Sequence, residues 1–160
     1  MTDMLVKLYD LKDDWSFLAK QEALGITIRK PLGTEKIQVE TWVRKEFGGA
    51  WASETDKAIS NRPITCFIAV QDQHFLGFAN YDASALGFFG PTGVAEAHRG
   101  KGTGKALLMA CLLDMKLAGY GYAIIGFVGP AEYYAKAVGA IEIPDSSPSI
   151  WKTWVYAEDQ

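Results

Sequence analysis

Residues 93–105 read Gly-Val-Ala-Glu-Ala-His-Arg-Gly-Lys-Gly-Thr-Gly-Lys, and they join a predicted strand to the strongest predicted helix of the chain. Glycines at alternate positions, Gly100, Gly102 and Gly104, lack the Cβ atoms that would keep a ligand away from the backbone. The N–H groups that open a helix carry partial positive charge and bind anions. Formal positive charge is added by Arg99, Lys101 and Lys105. The segment therefore predicts a phosphate-binding loop.

Three kinds of phosphate loop differ in spacing, and two of them do not fit. A Walker A loop needs glycine where Arg99 stands, and Ser or Thr where Ala106 stands. A dinucleotide fingerprint needs G-x-G-x-x-G in an opening βαβ unit, whereas this chain has G-x-G-x-G past its middle. The remaining pattern, Arg-x-x-Gly-x-Gly, is matched by Arg99, Gly102 and Gly104.

On these residues the sequence resembles the GNAT superfamily of acyl-CoA-dependent N-acetyltransferases. A strand ends at Val94, the loop follows, and Ala106-Leu107-Leu108 lie in the first part of the helix; the motif order covers residues 64–140. The resemblance implies that acetyl-CoA is the co-substrate and that this loop holds its pyrophosphate. The implied coenzyme-binding residues are Gly93, Val94, Arg99, Gly100, Lys101, Gly102, Thr103, Gly104 and Lys105.

The pattern of apolar residues predicts an α/β (α+β) chain with helices on both faces of a mixed sheet. We expect strands at residues 4–9 (an edge strand), 26–29, 64–70, 74–81, 86–94, 122–128, 140–143 and 150–156. We expect helices that begin near residues 13, 34, 51, 102 and 131. The resemblance implies a GNAT-like, mostly antiparallel sheet of six to seven strands that splays at its central strands.

The length, charge and apolar content of the chain limit the classes of protein to which it can belong. The chain has 160 residues, which predicts one domain over residues 1–160, and a net charge of −3. This acidic balance argues against nucleic acid, and no run of about 18 apolar residues predicts a membrane span. The first residues lack a secretory core, and Cys66 and Cys111 lie in apolar runs as expected of buried free thiols. We therefore expect a cytoplasmic protein without a metal site.

Acetyl transfer from a thioester to an amine needs a base, an oxyanion donor and an acid for the thiolate. The resemblance places the acid at Tyr134, in the segment that precedes Gly139, with Tyr133 beside it as a packing residue. It also implies a main-chain oxyanion donor, for which we name Val94. Glu96 is our first choice of base. The alternatives are Asp82, Glu132, Glu54 and His98.

These inferences predict an N-acetyltransferase that acts on a primary amine, preferably of a small molecule, by direct attack in a ternary complex. We expect the acceptor wall within residues 15–63, where Trp42, Phe47 and Trp51 stand. Three alternatives remain open: a non-catalytic acyl-CoA-binding or sensor domain, a protein N-terminal or lysine acetyltransferase, and a nucleotide-binding domain. The expected partners are acetyl-CoA and the amine acceptor, and pairing with a second copy of the chain as a homodimer remains open.

Overall fold

The described strands form a seven-stranded sheet, in a computed structural model that describes residues 1–155. Its strands lie in the order β2-β3-β4-β5-β6-β1-β7, and every neighbouring pair is antiparallel except β5 with β6. The strands are β1 (Met4–Lys7), β2 (Thr27–Arg29), β3 (Cys66–Gln71), β4 (His74–Tyr81), β5 (Phe88–Val94), β6 (Tyr122–Ile125) and β7 (Ile141–Glu142). The helices are α1 (Ser16–Glu22), α2 (Lys36–Phe47), α3 (Gly49–Ser60), α4 (Thr103–Leu117) and α5 (Ala131–Val138).

Two apolar layers pack against the sheet and fix the helices to it. One layer contains most of α4, including Leu107, Leu112 and Met115, and the side chain of Tyr134 on α5 packs against it. The other contains Val39 and Val43 of α2 and the buried side of α3. Both buried free thiols occur as expected, and burial raises the pKa of Cys66 and of Cys111. Within residues 1–155, the helices are too short or too polar to cross a bilayer.

The sheet opens between β5 and β6, which is the splay that the family resemblance implied. Phe88 pairs with Ile124 and Phe89 with Ile125, and within the described residues no later pair joins these two strands. β5 nevertheless continues to Val94 while paired with β4 on its other side. The stretch from Gly90 to Val94 therefore has one hydrogen-bonding edge that faces away from β4 without a partner strand.

The N-terminal strand does not lie at the edge of the sheet, so that expectation is wrong. β1 lies between β6 and β7, and it pairs with both. The side chains of Met4 and Val6 are 1% and 0% exposed. An alternating strand has the same pattern at an edge and inside an antiparallel sheet, because one face is apolar in both places.

The expected closing pair of strands is also wrong in its second member. β7 comprises Ile141–Glu142, but the following apolar segment contains a 3-10 turn, Ser149–Thr153, and Tyr156 lies outside the described residues. This segment begins at Ser149 with a φ of +61°, which lies outside the extended region that a strand needs. The strand expected to reach residue 128 ends at Ile125, and Phe127 has a φ of +54°.

Candidate active site

The glycine-rich loop ends at the N terminus of α4. Gly100 and Gly102 have φ values of +86° and +76°, in the left-handed region where a side chain is strained. Gly102 directly precedes the helix, and within residues 1–155 no side chain caps this terminus. The N–H groups of the first turn therefore have no intrahelical partner and are available to an anion.

A buried glutamine from α1 fixes this loop. Gln21 is 4% exposed; its amide Nε2 donates to the carbonyl of Lys101 at 2.9 Å, and its Oε1 accepts the Thr103 hydroxyl at 2.8 Å. The Thr103 side chain thus points to the interior, and only its backbone N–H faces the ligand-binding terminus. No motif marked Gln21 in the sequence, because it stands 80 residues before Lys101 as an ordinary polar residue of a helix.

The charges of the loop are exposed and mostly positive. Lys101 and Lys105 are exposed, and so is Arg99, whose Nε donates to the carbonyl of Val94 at 3.1 Å. The Arg99 contact joins the loop to the end of β5. Glu96 is exposed in a short 3-10 turn between strand and loop. Three cations near one carboxylate leave this end of the site electropositive, although the chain is acidic.

The N–H of Val94 faces the splay. Ala95 donates its N–H to the Leu76 carbonyl at 2.8 Å. Val94 and Gly77 are opposite each other one step along the same ladder. Because N–H groups in an antiparallel strand alternate in direction, the N–H of Val94 points away from β4. It therefore lies on the unpaired edge of β5, whereas the N–H of Gly93 points to β4.

Gly93 allows an aromatic ring to lie against β5. A Cβ at this position would be 2.7 Å from the ring of Phe47, which no packing arrangement accepts. Phe47 in turn stacks on Trp51, with ring centroids 5.4 Å apart and an angle of 28° between planes. Gly93 thereby sets the position of Trp51 at the start of α3. Trp42 and Phe47 belong to this aromatic layer, and of the three expected wall residues only Trp51 reaches the cavity described next.

A cavity of about 640 Å³ lies between α3, β5 and the segment that follows β6. Its floor includes Phe89, Gly90 and Pro91, which begin the splayed part of β5. Five of the fourteen described residues that line it are aromatic: Trp51, Phe89, Phe127, Trp151 and Trp154. The cavity therefore adjoins the same strand whose far end carries the glycine-rich loop.

Glu54 is the one carboxylate among the described residues that line this cavity. It is half-buried, and burial raises the pKa of its carboxyl group, while a hydrogen bond from the Ser84 hydroxyl opposes that rise. Glu54 follows Trp51 by three residues, so both side chains lie on the same face of α3. The sequence offered Glu54 only as one of several carboxylates, because nothing in it placed α3 against β5.

The opposite wall depends on the N-terminal strand. Asp3 is 7% exposed, and its carboxylate accepts the Phe127 N–H at 2.9 Å and the Ser149 hydroxyl. Its backbone N–H donates to the Ser146 hydroxyl at 2.8 Å. These bonds fasten the loop after β6 and the C-terminal segment to one carboxylate. No sequence signal identified Asp3, since its partners are more than 120 residues away.

Tyr134 occupies the buried side of α5. Its ring is half-buried against the α4 layer, and it meets the ring of Tyr133 edge-on at 5.1 Å. Burial raises the pKa of the Tyr134 hydroxyl above its ordinary value, with a smaller contribution from Tyr133. This hydroxyl therefore keeps its proton at neutral pH. Tyr133 is 42% exposed.

The other carboxylates considered as bases lie elsewhere. Glu96 borders a separate, shallower depression with Trp42 and Phe75, not the aromatic cavity. The carboxylate of Asp82 accepts the Tyr120 hydroxyl at 2.5 Å and the Gly87 N–H at 2.7 Å. Glu132 is exposed on α5. Of the four carboxylates, only Glu54 combines burial with a place in the cavity beside the splay.

Comparison with known proteins agrees with this geometry. The model of the Acetyltransferase (GNAT) family matches residues 36–141. The chain is 16% identical to the glucosamine N-acetyltransferase region of a fungal multi-domain beta-N-acetylglucosaminidase, with a TM-score of 0.73 over 89% of this chain and 19% of that one. It is 20% identical to an N-acetyltransferase from Sphaerobacter thermophilus, with a TM-score of 0.66 over 89% of this chain and 48% of that one.

At these identities the two solved structures show a shared fold alone. The chain spans about a fifth and about half of their lengths. No curated protein sequence matches it significantly.

Proposed function

This chain belongs to the Acetyltransferase (GNAT) family, and from that premise we propose that it transfers an acetyl group from acetyl-CoA to the primary amine of a small molecule. On this proposal residues 1–160 form one N-acetyltransferase domain that works in the cytoplasm. The amine attacks directly, in a ternary complex, and the products are an N-acetylated amine and free coenzyme A.

One observation carries the proposal: the unpaired edge of β5 connects the two features that the reaction needs. At one end of that edge lies the uncapped N terminus of α4 with its left-handed glycines, which suits a pyrophosphate. At the other end lies the aromatic cavity with Glu54. A Cβ at Gly104 would be 3.7 Å from the side chain of Val94, so the loop and the strand end are in direct contact.

Acetyl-CoA, when bound, supplies the thioester that is attacked. The amine must first be neutral, and an alkylammonium with a pKa near ~10.4 must lose a proton to reach that state. Its nitrogen then bonds to the acetyl carbon, the carbon–sulfur bond breaks, and the sulfur takes a proton. In the tetrahedral intermediate the nitrogen loses a second proton, and this loss balances the proton given to sulfur, so the neutral amine and the thioester yield an amide and a thiol.

Residues of this chain would serve each of these needs. The N–H of Val94, on the open edge of β5, would donate to the oxygen that becomes negative in the tetrahedral state. The Tyr134 hydroxyl would give its proton to the departing sulfur and recover one from solvent. Glu54 would accept the proton of the amine, directly or through one water molecule. We prefer Glu54 to Glu96 for this role because it lies in the cavity beside the splay.

Two measurements on the purified chain test this function. Calorimetric titration should show binding of acetyl-CoA and none of ATP at the same concentration, because the spacing of the loop excludes a Walker A site. A thiol reagent should then detect free coenzyme A when amines are added with acetyl-CoA. Tight binding of acetyl-CoA with no thiol released for any amine would instead indicate a binding domain. Binding of ATP alone would indicate a nucleotide-binding domain.

A further inference from the structure

The aromatic cavity has an unusual balance of charge for a site that receives an amine. Glu54 is its one formally charged residue within the described part of the chain, and no Lys, Arg or His lines it. An acceptor that carries a carboxylate or a phosphate would therefore find no cation to pair with. An acceptor with several ammonium groups would find one carboxylate among the lining residues that the structure describes. A monovalent cation matches this balance.

The walls of the cavity offer little to a polar acceptor. Besides Glu54, the polar side-chain groups of its described lining are the hydroxyls of Ser53 and Ser84 and the indole N–H groups of three tryptophans, and the Ser84 hydroxyl already donates to Glu54. A sugar would lose its hydrogen bonds to water and recover few of them, and each unpaired polar group costs ~1–3 kcal/mol. Aromatic side chains instead favour flat apolar groups, through burial of apolar surface and offset or edge-on ring contacts.

Both aromatic walls are held in place before any ligand binds. Trp51 stacks on Phe47 on one side. On the other, Trp151 packs against Gly126, where a Cβ would be 2.8 Å from the indole ring, and it meets the ring of Phe127 at 5.7 Å. A rigid aromatic site loses less conformational entropy when it binds a ligand than a flexible one would.

We propose that the acceptor is an arylalkylamine, whose ammonium group pairs with Glu54 and whose ring lies between Trp51 and Trp151. This inference rests on the proposed function and names its substrate class. Trp51 and Glu54 lie three residues apart on one face of α3, so a short alkyl chain spans the distance from ring to carboxylate. The aromatic faces add cation–π attraction to the ammonium.

The test compares amines of different chemistry in the thiol-release assay. Phenethylamine and tryptamine should have kcat/KM values at least tenfold above those of glucosamine, spermidine and glycine. Trp151→Ala should lower kcat/KM for phenethylamine at least tenfold and leave the KM for acetyl-CoA unchanged. Trp15→Ala is the matched control, since Trp15 lies outside the cavity beside Phe17, and it should change neither constant.

The outcomes separate the two proposals. If glucosamine, spermidine or glycine is the best acceptor, the arylalkylamine inference is overturned and the acetyltransferase function stands. If all five amines release no thiol although acetyl-CoA binds, the arylalkylamine inference is overturned, and the wider series of amines decides the acetyltransferase function. Should Trp151→Ala unfold, calorimetric titration of phenethylamine into the native protein decides the inference. Binding that Glu54→Gln weakens at least tenfold supports the inference, and absence of binding to the native protein overturns it.

Discussion

The proposed coenzyme side of the site is built from backbone, and the proposed acceptor side is built from side chains. The coenzyme side comprises residues 93–105, in which two left-handed glycines and a helix N terminus present N–H groups. The acceptor side comprises Asp3, Trp51, Glu54, Phe127 and Trp151, which come from four separate parts of the chain. Backbone N–H groups can bind a coenzyme that stays the same for every acceptor amine. Side chains, in contrast, determine which acceptor a pocket selects.

This difference predicts that changes on the two sides alter different constants. A change to the backbone of residues 93–105 should weaken the binding of acetyl-CoA and leave the binding of the amine unchanged. Damage to the aromatic cavity should do the reverse. Tyr134 belongs to neither side, because in the proposed reaction it would give a proton to the sulfur of the carbon–sulfur bond that breaks.

The largest effect is therefore expected from Tyr134→Phe. The ring and its packing remain, but the proton for the departing sulfur is lost, and loss of a general acid costs ~10²–10⁴ in rate. The deficit should lie in kcat, with the KM for acetyl-CoA little changed. Steady-state thiol release measures both. Tyr133→Phe is the control, and if it loses kcat while Tyr134→Phe keeps it, the two tyrosines have exchanged roles.

Glu54→Gln should lower kcat by ~10² or more at neutral pH, because the base is gone. Burial raises the pKa of Glu54, so the carboxylate form is lost as pH falls through a value above the ordinary one. The kcat of the wild type should therefore fall as pH is lowered through this pKa. The kcat of the variant should not show this dependence on pH. Steady-state kcat values between pH 4 and pH 9, in steps of about half a pH unit, measure this dependence. Glu132→Gln, on the exposed side of α5, should retain it.

Glu54→Gln should also stabilise the fold at pH 8. A carboxyl group whose pKa is higher in the folded than in the unfolded state contributes stability that is present at low pH and is lost as pH rises through the folded pKa. At pH 8 the ionised Glu54 is therefore a liability that Gln removes. The Tm of Glu54→Gln should exceed that of the wild type at pH 8 and should not at pH 4. A lower Tm at pH 8 would contradict the desolvation of this carboxylate.

Gly102→Val tests the coenzyme side. A β-branched residue at a φ of +76° is strained by ~1–3 kcal/mol, and its side chain displaces the N–H groups that open α4. We expect the affinity for acetyl-CoA to fall by ~10-fold to 10²-fold, on the basis of that strain alone. Calorimetric titration measures it, after circular dichroism has shown that the variant folds. Gly33→Val is the control, since a Cβ at Gly33 would meet no atom within 4 Å and its φ is not in the left-handed region.

The smallest effect is expected from Asp3→Ala, which acts on the acceptor side at a distance. It leaves the Phe127 N–H and the Ser149 hydroxyl without their acceptor, at a cost of ~1–3 kcal/mol in stability. The wall that carries Trp151 should loosen, so KM for the amine should rise several-fold while acetyl-CoA affinity stays the same. An equal loss of both affinities would show that Asp3 supports the whole fold and not this wall.

The contrast between the two sides also explains what the sequence could predict. The loop was recognisable because its glycines, cations and helix start are adjacent in the chain. The strands and helices from residue 64 to residue 138 follow from local periodicity, and their bounds agree with the structure within two residues, with one exception. The bounds fail at β6, where the turn at Phe127 breaks an apolar run that continues to Val128.

The acceptor side could not be predicted, because it depends on strand order. The insertion of β1 between β6 and β7 brings Asp3 to Phe127, and no local pattern encodes a pairing of residues more than 100 positions apart. The 3-10 turn of the C-terminal segment, Ser149–Thr153, places Trp151 over Gly126, and no local pattern predicts that contact either. The place of Glu54 as the candidate base likewise depends on the packing of α3 beside β5, which the sequence does not encode locally.

A crystal structure of the protein with a non-hydrolysable acetyl-CoA analogue tests the central claim most directly, namely that the splay between β5 and β6 joins the two sides. The account predicts that the pyrophosphate accepts hydrogen bonds from the N–H groups of residues 100–105. It also predicts the acyl oxygen at ~2.7–3.2 Å from the Val94 nitrogen, with the acyl group open to the cavity of Glu54. An analogue bound with its acyl group away from β5, or closed off from that cavity, would contradict the account.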